Sequence, residues 1–204
     1  IMAGGKLSPR QKMINMMYLV LTALLALNVS AEILNAFKTV NTSLEKTNTV
    51  VGASTETIIA SLTEKMTDPS SATKAAIWKP KAEEVTKLTA GVYNYIKSLK
   101  DQIINTAGGD AAAGKPLTKD DNLDIPTRLL IDQGAGKKLL QMLTEYKANI
   151  LKVDPLINTQ FATSLPINLE KPVTKSKNSS WEAAYFHMVP TVAAITMLSK
   201  FQND

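Results

Sequence analysis

The chain has 204 residues, with 23 Lys and Arg against 18 Asp and Glu, a net charge of +5, no cysteine and one histidine, His187. Lacking cysteine, it has no disulfide, thiolate metal site or cysteine nucleophile, and one histidine would leave a zinc site almost wholly to carboxylates. No basic run long enough to hold nucleic acid and no glycine-rich phosphate loop is present, so neither nucleic acid, a cofactor nor enzyme chemistry is expected.

Ile1 precedes Met2, and residues 3–7 are small and polar, so a loose tip over residues 1–8 is expected. Ser8-Pro9 reads as an N-cap followed by proline at the first helical position, and Gln11 three residues on completes a capping-box pattern. Between Lys12 and Glu32 no residue is charged. Residues 13–31 would span roughly 28 Å as a helix, about the hydrocarbon thickness of a bilayer. A single crossing segment must be helical, because lipid offers no partner to a bare peptide group. The sequence therefore predicts a transmembrane helix over residues 9–32. Lys6, Arg10 and Lys12 precede its apolar run, which keeps the N-terminus cytoplasmic and places the bulk of the chain outside. A cleaved signal peptide ending at Val29-Ser30-Ala31 is the rival. The helical pattern runs unbroken through that point, which favours a retained anchor.

Within this segment Arg10 is either a topogenic charge that snorkels to the headgroups or a fixed cation paired with a carboxylate of a partner helix. Glu32 closes the segment at the outer interface. Asn15 and Asn28 are placed to hydrogen-bond across a helix contact, and Tyr18 is an interface anchor or a packing residue. After the membrane, Ile33, Phe37, Val40, Leu44, Val51, Ile58 and Leu62 form a heptad-like stripe suited to a dimer or a bundle. Lys38, Thr42, Glu45, Asn48 and Glu56 stand opposite. One helix is expected from Pro9 to about Met66, ended by Asp68-Pro69-Ser70-Ser71.

A second helix is expected to follow Pro80, with Val85, Leu88, Val92, Ile96, Leu99 and Ile103 on its apolar face. Residues 106–124 are small, polar and glycine-rich, hence a long loop, and residues 126–132 form an extra turn. A third helix carries Leu139, Leu143, Tyr146, Ile150 and Val153, and Asp154-Pro155 should kink or stop it. Residues 164–178 read as an extended loop. The last helix opens at Ser179-Ser180 and bears Trp181, Tyr185, Met188, Val192 and Ile195, with a kink at Pro190. His187 beside that face reads as a core histidine, and Trp78 and Trp181 as packing residues at bundle ends. Four amphipathic helices bury their stripes only against one another. The fold expected is all-α: a single N-terminal transmembrane helix continuous with an up-down helical bundle over residues 33–204. No terminating signal closes the last helix, so further residues are expected beyond it.

The stretch MAGGKLSPRQKMINMMYLVLTALLALNVSAEILNAF, residues 2–37, resembles the N-terminus of the GldM/PorM family of Bacteroidota gliding and type IX secretion motors. Residues 181–202, with an aromatic pair and Pro190 ahead of a leucine-bearing helix, share the family's style. The resemblance implies an inner-membrane motor component that couples the proton motive force to work across the periplasm. It implies a homodimer whose membrane helices pass through a ring of the partner GldL/PorL, and contacts with periplasmic and outer-membrane secretion components. Further β-rich periplasmic domains would follow the first. An arginine matching Arg10 would pair with a ring glutamate, and a glutamate matching Glu32 would also matter. The competing class is a single-pass anchored sensory or scaffold module that dimerises through the same stripe.

Overall fold

The computed structural model describes residues 8–173 and 179–204, and the side chains of residues 24–30 lie outside that description. The first helix, α1 (Pro9–Glu64), is 56 residues long, or about 84 Å at 1.5 Å per residue. It starts where the sequence pattern places it: Ser8 is extended and its hydroxyl accepts the Gln11 N–H at 3.3 Å. It stops at a turn in which the Asp68 carboxylate accepts the Ser70 N–H and the Ser70 and Ser71 hydroxyls. These bonds hold the Asp68 carboxyl below its ordinary pKa, the Ser70 N–H contributing most.

The second helix, α2 (Ala72–Thr106), corrects an expectation: it begins at Ala72 and runs through Pro80 rather than following it. Proline removes one backbone donor and leaves the carbonyl four residues back unpaired. Both Pro80 and Ala76 are exposed, so that carbonyl is on the solvent side, where its loss of a partner costs least, and the helix continues. Gly108, at φ 80°, turns the chain out of α2 into a loop with an isolated bridge between Asp110 and Lys115.

A short α3 (Asp124–Thr127) leads into a π turn, Arg128–Asp132. Gly134, at φ 75°, then opens α4 (Ala135–Val153). Gly136 is buried where a Cβ would lie 2.6 Å from the Leu130 carbonyl oxygen and 2.7 Å from the Glu182 Cβ, so α4 packs closely here only because the side chain is absent. Asp154 adopts an extended conformation and separates α4 from α5 (Pro155–Phe161). The last expected helix is also corrected: it is two helices, α6 (Trp181–Phe186) and α7 (Thr191–Asn203). Between them His187 is extended and Met188 is left-handed at φ 53°, so Pro190 starts a new helix instead of kinking one. His187 is exposed rather than a core residue.

Side-chain pairs fix the helix directions. Lys100 of α2 meets Glu45 of α1, and Lys81 meets Asp154 at the far end of α4, while Tyr95 donates to the Ala135 carbonyl at its near end. Hence α1 and α4 run together and α2 runs against them. Thr196 bonds the Phe37 carbonyl, Ser199 bonds Asn41 and Asn203 bonds Asn48, so α7 runs parallel to α1. The order is up, down, up and up again. The expected strict alternation fails because the chain does not pass straight from α4 into the last helix: the Ile167 carbonyl accepts from Lys147 of α4 and the Glu170 carbonyl from Tyr185 of α6, so residues 167–170 lie along α4 and α6 before α7 begins.

The core gathers around α7, which is buried on nearly every side. Ile96, Leu99 and Ile103 of α2, Leu130, Leu139 and Leu143 enclose Ile195 and Leu198. Trp181 anchors an aromatic group, its ring centroid 4.7 Å from Tyr185, 5.6 Å from Phe201 and 6.2 Å from Phe186. The N-terminus of α7 is capped from a distance: Asn122 O accepts the Thr191 N–H at 2.9 Å and Asp120 O the Val192 N–H at 3.1 Å.

Asp154 carries a pH-dependent part of this packing. Its carboxylate accepts from Lys81 and, at 2.8 Å, from the Leu156 N–H, and the Lys81 bond chiefly holds its pKa below the ordinary aspartate value. A depressed carboxyl pKa adds stability above the unfolded value, near 4, that is lost as pH falls through the folded value. Asp154→Asn is therefore expected to lower Tm at pH 7 and to flatten the fall of Tm between pH 5 and about 3. Thermal melts across that range check it, and parallel wild-type and variant curves would refute the assignment.

Candidate functional site: the apolar head of α1 and its junction with the bundle

From Met13 to Leu21 α1 presents apolar side chains on every face, with Asn15 the one polar residue among them. Met13, Ile14, Met16, Met17, Tyr18, Val20 and Leu21 are all exposed, Met17 at 72%. A helix in water keeps one apolar stripe, and one that is apolar all round is normally buried in protein or lipid. Arg10 stands at the start of this surface and is exposed, as are Asn15 and Tyr18. The Tyr18 carbonyl accepts the Thr22 hydroxyl at 2.6 Å, so Thr22 turns its polar group back onto the backbone. Asn28 lies outside the described side chains. Glu32 is exposed. Twenty-two helical positions separate it from Arg10, about 33 Å along the axis and roughly 40° apart around it. Among the described residues no helix is long and apolar enough to cross a membrane, and the expected span over 9–32 includes the side chains outside the description.

Beyond Glu32 the stripe divides. Phe37, Leu44 and Leu62 are half-buried, whereas Ile33, Val40, Val51 and Ile58 are exposed, Ile58 at 62%. Positions 33, 40, 51 and 58 fall within about 20° of one line along the helix. The seam that α1 shares with α7 lies beside that line and is partly polar. Ser199 Oγ donates to Asn41 Oδ1 at 2.7 Å, Asn48 Nδ2 to the Ser199 carbonyl at 3.3 Å, and Asn203 Nδ2 to Asn48 Oδ1 at 3.1 Å. Asn48, expected on the side away from the stripe, is thus half-buried in the seam. Asn41 and Ser199 were not among the expected site residues. The small residues Ala193, Thr196 and Ser199 at helical spacing were the available signal, since they let α7 come close enough for amide bonds. Trp78, expected to pack at a bundle end, is 40% exposed beneath the Lys81 ammonium at 4.8 Å.

Fold and site together define a helical-bundle protein carried on one long helix whose head is apolar on all sides. Residues 32–204 match the GldM N-terminal domain family, and the chain belongs to that family, one of type IX secretion and gliding-motility components. The match begins at Glu32, so Arg10, Asn15, Tyr18 and Asn28 precede it. A comparison with curated proteins finds no match.

Proposed function

We propose that the chain is an inner-membrane motor component that converts the proton motive force into mechanical work for type IX secretion and gliding. In this reading residues 1–8 are a cytoplasmic tip, residues 9–32 cross the membrane and residues 33–204 form a periplasmic bundle. The observation that carries the reading is that α1 joins the all-round apolar surface to the packed bundle without a break. A continuous helix transmits rotation or thrust, whereas a hinged linker dissipates it.

Two copies pair along Ile33, Val40, Val51 and Ile58, the apolar line that the bundle leaves exposed. Their membrane helices pass through a GldL/PorL-type ring whose symmetry differs from their own. Arg10 pairs with one ring carboxylate at a time, Glu32 marks the outer edge, and Asn15, Tyr18 and Asn28 contribute helix contacts. Protonation of the engaged carboxylate releases Arg10, and the next ionised carboxylate captures it, which biases the dimer's motion. Periplasmic and outer-membrane secretion components receive that motion.

Mild-detergent purification at native expression, with mass spectrometry, tests the reading. The expected result is a stoichiometric small inner-membrane protein with a carboxylate in a transmembrane helix. A homodimer that copurifies with nothing, from cells that make such a protein, would favour the anchored sensory module. The shaft has its own test. Ala31 is exposed and outside the seam, and proline there should cost the helix about 3 kcal/mol or more and kink it. Ala31→Pro is expected to leave the bundle's Tm unchanged and to abolish secretion and gliding. Normal secretion in cells carrying it would rule out transmission through a rigid α1.

A further inference from the structure

A cleft of about 550 Å³ lies between the last turn of α2 and the α3–π-turn segment, with no residue of α1 in its walls. Its size falls within the range of ligand sites. Gln102, Asn105, Lys119, Asn122, Arg128 and Gln133 give it polar walls, Ile125 and Leu129 an apolar part, and Asp124 its one carboxylate.

The walls are rich in donors. The Asn122 side-chain oxygen accepts the N–H groups of Asp124 and Ile125 at 3.0 and 2.9 Å, and the Asn105 oxygen accepts the Ala111 N–H at 3.0 Å. Each amide has its acceptor committed to the fold, which leaves its NH₂ to donate. Lys119 and Arg128 have no ion-pair partner among the described residues. The end of α2 adds little opposing charge, since the carbonyls of Ile103, Ile104 and Asn105 are taken by Ala107, Gly109 and Gly108.

A second feature converges on the same place. The Gln133 N–H bonds the Arg128 carbonyl at 3.0 Å and closes the π turn. In an α-helix, positions five apart diverge by about 140°. The wider turn instead brings Arg128 and Gln133 onto one cleft. Such turns are rare, and those that occur are frequently at functional sites.

We propose that this cleft binds an acidic peptide segment of a protein partner. Ligand carboxylates meet Arg128, Lys119 and the two asparagine NH₂ groups. Gln102 and Gln133, which both donate and accept, suit a peptide backbone, and Ile125 with Leu129 takes an adjoining apolar side chain. This assignment rests on the cleft alone and stands or falls apart from the membrane motor.

The test is calorimetric titration of the full chain in mild detergent with an acetylated, amidated Glu-Leu-Glu-Glu peptide. Its Gln-Leu-Gln-Gln counterpart and free glutarate serve as the other arms. Saturable binding of the glutamate peptide is expected, with the glutamine peptide and glutarate each about tenfold weaker or worse, the scale of losing charge-assisted bonds. Arg128→Gln combined with Lys119→Gln should weaken the peptide by at least about tenfold, and both residues are exposed, so an unchanged melt confirms the fold. Asp124→Asn, which removes the like charge, should tighten it. Absence of saturable binding, or binding indifferent to these substitutions, would overturn the proposal. Glutarate binding as tightly as the peptide would assign the cleft to a small acid and overturn the protein partner.

Discussion

Arg10→Ala is expected to reduce secretion and gliding to background while protein level and bundle Tm stay at wild-type values. Arg10 heads the apolar surface of α1, far from the packed seam that starts near Leu34, so the bundle does not sense its loss. Inside a ring of partner helices, removal of one member of a buried ion pair leaves the other charge uncompensated, at a cost of about 3–5 kcal/mol. That is enough to eliminate the proposed contact, which would form and break with each proton. Arg10→Lys separates charge from geometry: a lysine keeps the cation but loses the planar fork that grips a carboxylate at two points, so partial function is expected. Secretion and gliding assays in cells with matched protein levels check both variants. Normal activity of Arg10→Ala would remove the proposed coupling step.

Phe186→Ala should be the most damaging single substitution in the bundle. The ring is fully buried, with centroids 6.2 Å from Trp181 and 6.0 Å from Tyr185. Truncation of a buried phenylalanine typically costs about 3–5 kcal/mol, from lost transfer energy and the cavity left behind. For a domain of this size that corresponds to a fall in Tm of about 10 °C or more. Trp181 fluorescence reports the melt from within the same cluster. Val173→Ala, at a fully exposed residue, is the control and should stay within about 0.5 kcal/mol. Equal melts for the two variants would show that the aromatic group is not the centre of the core.

The first helix was legible because its signals are local. Ser8, Pro9 and Gln11 mark its start, Asp68-Pro69 its end, and the bundle class followed from apolar spacing in α2 and α4. Proline was the weaker guide. Pro80 looked like a helix start and is an exposed interior residue, while Pro190 looked like a kink and begins a helix. The difference lies in whether water reaches the orphaned carbonyl and what φ the preceding residues adopt, neither of which the residue order states. The cap on α7 was also hidden, since Asp120 and Asn122 reach it across some seventy residues of chain. For the same reason the Asn41–Ser199–Asn48 seam escaped notice: polar residues on a helix read as solvent-facing until a partner of small residues comes close. Arg10, Asn15, Tyr18, Asn28 and Glu32 were picked out by charge and hydropathy alone, and the roles proposed for them would need a partner.

The parallel pairing of α1 and α7 has a mechanical meaning. A pull applied between Glu32 and Asp204 acts in opposite directions along two neighbouring, co-directional helices, as in a lap joint. The bonds joining Thr196 to Phe37, Ser199 to Asn41 and Asn203 to Asn48 are spread along that joint and take the load together. An antiparallel pair with the same contacts would peel open from one end, one bond at a time. The short α7 thus resists tension by sliding friction over its whole length, a strength that its thirteen residues would not provide in the other orientation.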